Sequence, residues 1–260
     1  VERADFLGKI TTCFEDTIGV SGTHGKTTTT SMISCCFLRA NMDPNIQVGA
    51  ILKQINGNYR IGKSEYFILE ACEYVESFLK FRPKSEVVLN IDNDHLDYFK
   101  NFDNIKKSFQ KYVSHLPEDG FVVLNGDDDK YSKLLSLSKN NVVSFGTNYE
   151  NDYRYEIVDI NIDKTLFFIE NSTNSIGLET ILIGEFNIRN ILCVYTILKV
   201  LNITLAQFKD FIKNVERIEG RMNVYTINHR QIIIDYACRL HFFTWISFNI
   251  YCCFHHQMLL

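Results

Sequence analysis

Apolar runs and helix-spaced apolar residues alternate along the first half of the chain. Short apolar runs predict strands at residues 17–21, 66–70, 86–91, 121–128 (ending in a turn) and 142–146. Apolar residues at helical spacing predict helices at residues 1–10, 27–40, 75–81, 103–115 and 130–137. This alternation predicts an α/β fold, with a mostly parallel sheet flanked by helices.

The middle of the chain has a different pattern. Residues 153–171 predict two strands joined by a turn at Asp163 and Lys164, and another strand-like run ends in residues 181–187. Together these segments predict a small β-meander added to the same domain.

Two helices and a hairpin are predicted after the meander. The first helix covers residues 187–201, and the second covers residues 205–214 behind Thr204 as its N-cap. Residues 221–237 predict a hairpin, which would begin a new domain.

Composition narrows the class of protein. The 260 residues are 46% hydrophobic and 22% charged, which excludes a disordered or collagen-like chain. The net charge of -4 gives no electrostatic reason to expect nucleic-acid binding. The eight cysteines contain no CxxC pair, so we expect neither a zinc site nor a disulfide framework. Reduced thiols and a cytoplasmic location are the expectation.

The two ends of the chain are unusual. The first ten residues carry four charges and are not followed by an apolar core segment, so no signal peptide is predicted. Residues 238–260 approach the length of a membrane span, but His, Asn, Gln, Ser and Thr interrupt them, and no membrane span is predicted. The abrupt change of composition at Cys238 favours an aberrant or out-of-frame segment, to which we assign no function. The chain also lacks an initial Met, and it is expected to begin inside a longer protein.

A glycine-rich loop lies between the first predicted strand and the helix after it. It consists of Gly22, Thr23, His24, Gly25, Lys26, Thr27 and Thr28. Glycines let backbone N–H groups turn toward phosphate oxygens, the Lys26 ammonium can contact phosphates, and the Thr27 hydroxyl can bind Mg²⁺. The full GxxxxGK[ST] pattern is not met, because its first glycine would fall on Val20. A helix that simply begins in a Gly/Thr-rich segment is the alternative.

Carboxylates and a histidine follow two further strands. Glu70 ends the strand at residues 66–70, and Glu73 comes three residues later. A carboxylate at the carboxyl end of a parallel strand can hold Mg²⁺ opposite a phosphate loop. Asn90 begins a second polar segment, in which His95 could bind a second metal through its neutral imidazole. The alternative for both glutamates is a capping or surface role. The alternative for His95 is a histidine that is simply packed in the core or exposed to solvent.

Two later motifs add candidate nucleotide contacts. Asn187 and Asn190 begin the long helix, and amide groups can pair with an adenine edge. Simple N-capping is the alternative for Asn187. Arg221 and Asp235 flank the last hairpin and would otherwise be ordinary surface charges.

Taken in order, these motifs resemble those of the Mur ligases. The matching segments are GTHGKTTTT, EACEY, NIDNDHLD, EFNIRN, GRM and IDYA, and the resemblance extends from residue 1 to about 237. This family comprises ATP-dependent amide-forming ligases of bacterial cell-wall synthesis. The resemblance implies a P-loop NTPase-like central ATP-binding domain at residues 1–216 and the start of a C-terminal domain at residues 217–237. No glycine-rich UDP-binding segment precedes residue 19, so we expect the chain to be inactive by itself.

The resemblance also implies roles for individual residues. Lys26 matches the phosphate-loop lysine, and Asn90 matches an active-site asparagine. Thr27, Glu70 and His95 match the metal-binding residues, with ATP and Mg²⁺ as the cofactors. The remaining matches are nucleotide contacts, namely the rest of the glycine-rich loop, Asn187, Asn190, Arg221 and Asp235.

Departures from the family pattern bear on the substrate. A histidine is usual at Phe186, and another is usual at Cys238. Some sister ligases carry a carbamoylated lysine, and Phe109 stands at that position here, which favours the branch joining L-alanine to UDP-N-acetylmuramate. The segment GRMNVY is more similar to the branch that adds the third residue. A folylpolyglutamate-type ligase and a non-catalytic nucleotide-binding fragment also remain open, whereas the DHLD and EFNIRN motifs disfavour a P-loop GTPase or kinase. The sequence does not indicate the oligomeric state.

Overall fold

The computed structural model describes residues 2–127, 141–161, 163–227, 230–235 and 250–254. In these residues the strands of the main sheet are β1 (Asp16–Ser21), β2 (Asn45–Leu52), β3 (Gly57–Arg60), β4 (Tyr66–Glu70), β5 (Ser85–Val88), β6 (Phe121–Asn125), β7 (Asn141–Gly146), β8 (Tyr153–Ile160), β9 (Thr165–Glu170) and β10 (Ser175–Thr180). The helices are α1 (Arg3–Thr11), α2 (Lys26–Arg39), α3 (Leu96–Phe99), α4 (Phe102–Val113), α5 (Glu185–Val200) and α6 (Leu205–Lys213).

The main sheet has the order β10-β9-β8-β7-β6-β5-β1-β4-β2-β3. The strands from β2 to β8 in this order pair in parallel, whereas β3, β9 and β10 are antiparallel additions at the two edges. The predicted mostly parallel sheet is therefore confirmed. The meander of β8 to β10 continues this sheet and does not form a separate layer.

Helices cover both faces of the sheet, as predicted. On one face α2, α5 and α6 pack over inward-pointing residues such as Ile18 and Val87. On the other face α4 and a 3₁₀ segment, Tyr74–Lys80, pack over residues such as Leu69 and Val88. Successive residues of β5 point to opposite faces of the sheet, so Val87 joins one core and Val88 the other, although every residue of the strand is buried.

Helix α4 follows its predicted pattern. Ile105, Phe109, Tyr112 and Val113 are all buried, as their helical spacing indicated. Thr204 caps α6 and forms a capping box with Gln207, so that helix start is also confirmed.

Two predicted elements differ. Residues 75–81 form no α-helix, because Val75 and Glu76 adopt left-handed backbone angles and kink the 3₁₀ segment. The strand-like run at residues 181–187 is not a strand, since Gly184, at φ +91°, ends the extended run and α5 begins at Glu185. Gly184, and not Asn187, is therefore the N-cap of α5.

The hairpin β2–β3 at the sheet edge was not predicted. The predicted helix at residues 130–137 lies outside the described residues.

The predicted hairpin at residues 221–237 is present. Strands β11 (Asn223–Ile227) and β12 (Arg230–Asp235) pair antiparallel, and β13 (Ile250–Phe254) adds a parallel strand to β12. The segment from residue 238 thus contributes a strand that the sequence did not indicate. Among the described residues, no helix is both long enough and apolar enough to cross a membrane.

Candidate nucleotide site

The glycine-rich loop connects β1 to α2 at the carboxyl edge of the sheet centre. Gly25 is the N-cap of α2 and has a left-handed φ of 86°, and Gly22 has a φ of 133°. A Cβ atom at Gly25 would lie 2.8 Å from the Asn190 Oδ1, and one at Gly22 would lie 2.9 Å from the Leu89 Cβ. Only glycine fits both the backbone angles and the space, so the loop keeps the N-terminal N–H groups of α2 accessible.

The Lys26 side chain folds back over this loop. Its Nζ donates to the carbonyl oxygens of Gly22, at 2.7 Å, and Thr23, at 3.3 Å. It also lies 2.8 and 3.1 Å from the two carboxylate oxygens of Glu73. The side chain is 12% exposed, and that of Glu73 is 2% exposed.

Thr27 and Glu70 form a second polar pair beside the loop. The Thr27 hydroxyl donates to the Glu70 Oε1 at 3.1 Å, and the other Glu70 oxygen accepts from the Gly49 N–H at 2.8 Å. An Arg221 guanidinium nitrogen donates to the Thr27 hydroxyl oxygen at 3.4 Å. The hydroxyl and carboxylate predicted to bind Mg²⁺ are therefore adjacent, and the predicted nucleotide contact Arg221 reaches the same point.

Asn90 fastens the loop to the segment after β5. It exchanges two hydrogen bonds with the His24 backbone, and the Asp92 N–H donates to the Thr23 hydroxyl at 2.9 Å. The predicted active-site asparagine thus acts on loop geometry in this structure.

His95 lies on the far side of Glu73. Its Nε2 is 4.0 Å from the Glu73 Oε1, and the Tyr74 ring packs on its imidazole with a centroid distance of 4.5 Å. The structure therefore pairs His95 with Glu73, and Thr27 with Glu70. In the described part of the chain, no group of three or more His, Cys, Asp or Glu side chains is arranged to hold a metal ion.

Glu73 is the site residue that sequence reasoning did not assign. The alternative of a capping or surface role does not hold for Glu73, because its carboxylate is buried between Lys26 and His95. The only signal in the sequence is its position three residues after the strand-ending Glu70.

A cavity of about 470 Å³ opens beside the loop. Its polar wall includes the loop from Thr23 to Thr28, Glu70, Asn187, Asn190, Arg221 and Asp235. Its apolar wall includes Met32, Cys35, Leu38, Leu182, Phe186, Phe211, Val215 and Ile218. Burial raises the pKa of the Cys35 thiol to about 12, so this thiol lines the cavity as a neutral group.

The remaining candidates also lie at this cavity. The Asn187 amide donates to the Ile183 carbonyl oxygen at 2.8 Å, and Asn190 lies against Gly25. Asp235 accepts a hydrogen bond from the Met222 N–H at 3.1 Å, which joins β12 to the turn after Arg221. Asn90 and His95 do not line the cavity itself.

Comparison with known proteins gives a consistent result. A family profile described as the Mur ligase middle domain matches residues 20–198. The UDP-N-acetylmuramate–L-alanine ligase of Caldanaerobacter subterraneus subsp. tengcongensis is 40% identical over 239 residues, covering 90% of this chain and 52% of that protein. The ligase of the same name from Clostridium perfringens is 38% identical over 240 residues, covering 91% of this chain and 52% of that protein.

Solved structures share the fold. The UDP-N-acetylmuramate–alanine ligase MurC from Thermotoga maritima superposes with a TM-score of 0.78 at 23% identity, covering 90% of this chain and 54% of that chain. The chain spans about half the length of the curated relatives it matches. The profile match over most of the chain, together with these relatives, shows that the chain belongs to the Mur ligase family.

Proposed function

We propose that the cavity beside α2 binds ATP, with its phosphates on the glycine-rich loop. The observation that carries this proposal is the loop geometry, in which Gly22 and Gly25 leave the α2 N-terminus open and Lys26 lies over it. Helix N-terminal N–H groups and a lysine ammonium are the groups that bind phosphate oxygens. The apolar wall of the cavity gives a nucleotide base a surface on which to pack.

Thr27 and Glu70 are the residues that would hold Mg²⁺. Mg²⁺ takes one or two protein oxygens and completes its shell with phosphates and water, and the adjacent hydroxyl and carboxylate fit that requirement. Mg²⁺ held there would supply positive charge to offset that of the phosphate oxygens. His95 is proposed as the ligand of a second metal.

The proposed reaction of the whole protein joins L-alanine to UDP-N-acetylmuramate. Its support is the relatives of that name at about 40% identity. The γ-phosphoryl group of ATP passes to the substrate carboxylate, which gives ADP and an acyl phosphate. The alanine amine attacks the acyl carbon, phosphate leaves with the bonding electron pair, and the amine loses a proton as the amide forms.

This chain's residues contribute mainly by positioning and charge. Lys26 holds phosphate oxygens and stabilises the charge that spreads over them during transfer. Asn90 keeps the loop in place, and Arg221 orients the Thr27 hydroxyl. Asn187 and Asn190 are proposed to contact the nucleotide from α5, and Asp235 from β12. The reaction is assigned to the cytoplasm, where ATP is supplied.

The test is phosphate release from ATP by the protein carrying the full length of its relatives. Release is expected to require UDP-N-acetylmuramate and L-alanine together. Release triggered by UDP-N-acetylmuramoyl dipeptide and a diamino acid would assign the protein to the branch that adds the third residue. Release with a folate and glutamate would assign it to the folylpolyglutamate type. If the protein binds ADP but releases no phosphate from ATP under any of these conditions, it is a nucleotide-binding protein without ligase activity.

A further inference from the structure

Glu73 is a buried carboxylate that lies between two residues of the candidate site, Lys26 and His95. Its side chain is 2% exposed, and both of its oxygens face the Lys26 ammonium. Its Oε1 also lies 4.0 Å from the His95 Nε2. Neither the phosphate-loop role of Lys26 nor the metal role proposed for His95 assigns a task to this carboxylate.

The Lys26 ammonium is fully engaged by oxygens of the chain itself. It has three N–H donors, and four acceptor atoms lie within 3.3 Å of Nζ, from Gly22, Thr23 and Glu73. A phosphate oxygen can therefore gain a hydrogen bond from Lys26 only when one of these contacts is released. The two carbonyl oxygens belong to the loop that receives the phosphate, so the Glu73 contact is the one that can yield without unfolding the loop.

A buried carboxylate that loses its cation needs another partner, because an unpaired buried charge is strongly destabilising. The nearest one is the His95 imidazole. Val75 and Glu76, two and three residues after Glu73, have left-handed φ angles of 48° and 56°, so this backbone is held in a strained turn beside the pair. The adjacent Tyr74 packs on the His95 ring.

We propose that Glu73 is a positioning residue that neutralises Lys26 in the empty loop and releases it to phosphate. Nucleotide binding and the Lys26–Glu73 ion pair are mutually exclusive, and the freed carboxylate turns to His95. Glu73 thereby couples the nucleotide loop to the His95 turn. This inference rests on the proposed function, since it requires that phosphate binds at Lys26.

The first test is the affinity of ADP without Mg²⁺, measured by calorimetry on the 260-residue chain and its variants. Glu73→Gln removes the competing charge and is expected to tighten ADP binding roughly tenfold, within the usual range of coupling between two sites. Glu76→Gln makes the same charge change on the same turn, where the carboxylate accepts from the Tyr98 hydroxyl and has no contact with Lys26. It is expected to leave the affinity within about twofold of the parent, well below that coupling range.

A double-mutant cycle isolates the pair. In a Lys26→Met background, Glu73→Gln is expected to have no effect on the remaining ADP affinity. The double variant leaves neither the Lys26 nor the Glu73 charge unpaired. The comparison between it and Lys26→Met can therefore still be made if Glu73→Gln alone folds poorly. Equal tightening in both backgrounds, or no tightening in the wild-type background, overturns the inference.

The second test reports on His95 directly. In the parent, ADP is expected to shift the imidazole resonances of His95 in an NMR spectrum of protein labelled at histidine nitrogen. In Glu73→Gln, ADP is expected to leave them in place. If the parent and Lys26→Met bind ADP equally well, or if neither binds it, the proposed function fails together with this inference. If Lys26→Met alone loses binding and Glu73→Gln gains none, only the role of Glu73 is refuted.

Discussion

The His24 N–H donates to the Asn90 Oδ1 at 2.7 Å, and the Asn90 Nδ2 donates back to the His24 carbonyl oxygen at 2.8 Å. One amide side chain thus satisfies both backbone groups of a loop residue that is 66 positions away in the sequence. This reciprocal pair ties the glycine-rich loop to the strand β5, which neighbours β1 in the sheet.

Asn90→Ala is expected to loosen the loop. It leaves the His24 N–H and C=O without their partner, which should lower the free energy of unfolding by about 1–3 kcal/mol. Urea denaturation measures the change. Asn93→Ala, at an exposed position of the same segment, is the control and should have a much smaller effect. Equal losses in the two variants would contradict a special role for Asn90.

Lys26→Met is expected to destabilise the protein even without nucleotide. Glu73, at 2% exposure, would then lose its cation and turn to the His95 imidazole, 4.0 Å away, so the expected cost lies below the roughly 3–5 kcal/mol of a buried pair that is broken outright. Lys26→Met/Glu73→Gln removes both charges and should recover a large part of that loss. The free energies of unfolding of the three proteins in guanidinium check this, and a double variant no more stable than the single one would count against it.

Lys26→Ala is expected to abolish turnover in the protein of full family length. Loss of one electrostatic donor at the transferring phosphoryl group removes roughly 3–4 kcal/mol of transition-state stabilisation. Steady-state phosphate release measures the effect. Near-normal release by this variant would refute the assignment of Lys26 to the phosphates.

Gly25→Ala is expected to damage both the fold and nucleotide binding. At φ 86° a side chain costs about 1–2 kcal/mol, and the added Cβ would meet the Asn190 Oδ1 at 2.8 Å. Gly57→Ala is the matched control, because a Cβ there finds its nearest atom at 3.8 Å. Thermal unfolding should separate the two variants clearly, and similar midpoints would show that the loop tolerates a side chain.

The Glu86→Gln variant is expected to become increasingly more stable than the parent as the pH rises. Glu86 is fully buried in β5, and this burial raises its pKa well above its ordinary value of 4.5. The folded state therefore keeps a proton that the unfolded state releases above about pH 4.5, so this group lowers stability progressively with rising pH. The neutral amide removes that penalty.

The Glu86 prediction is checked by the free energy of unfolding at pH 5 and pH 8. The advantage of Glu86→Gln over the parent should grow by up to about 1.4 kcal/mol per pH unit, until the folded-state pKa is reached. Glu118→Gln, at an exposed position, serves as the control for the charge change. An advantage that is constant with pH would show that Glu86 is ionised in the fold.

The order of the elements could be predicted from the sequence because the buried strands are continuous apolar runs. The runs at β4, β5 and β6 are unambiguous, and the apolar face of α4 repeats at regular helical spacing. The hairpin of β2 and β3 escaped prediction because β3 is a four-residue edge strand, Gly57–Arg60, with little apolar content. Edge strands are half-solvated, so their sequences carry a weak pattern.

Motif spacing predicted which residues gather near the loop, but not how they pair. Glu70 and Glu73 are three residues apart, and nothing in the sequence indicates that the first contacts Thr27 while the second contacts Lys26. Glu73 is followed directly by a left-handed turn at Val75 and Glu76, which a β-branched residue such as Val75 rarely adopts. Strain of this kind is fixed by tertiary contacts and is not visible in local propensity.

The central position of β1 in the sheet has a consequence for the sequence of events in folding. The partners of β1 are β4 and β5, whose residues are about 50 and 67 positions further along the chain, and both pairings are parallel. Bringing such distant segments together costs loop-closure entropy, which slows the formation of these strand pairs. Because Asn90, after β5, holds the loop after β1, we expect that loop to reach its final shape only after β5 has docked, and nucleotide to bind the folded domain rather than an early intermediate.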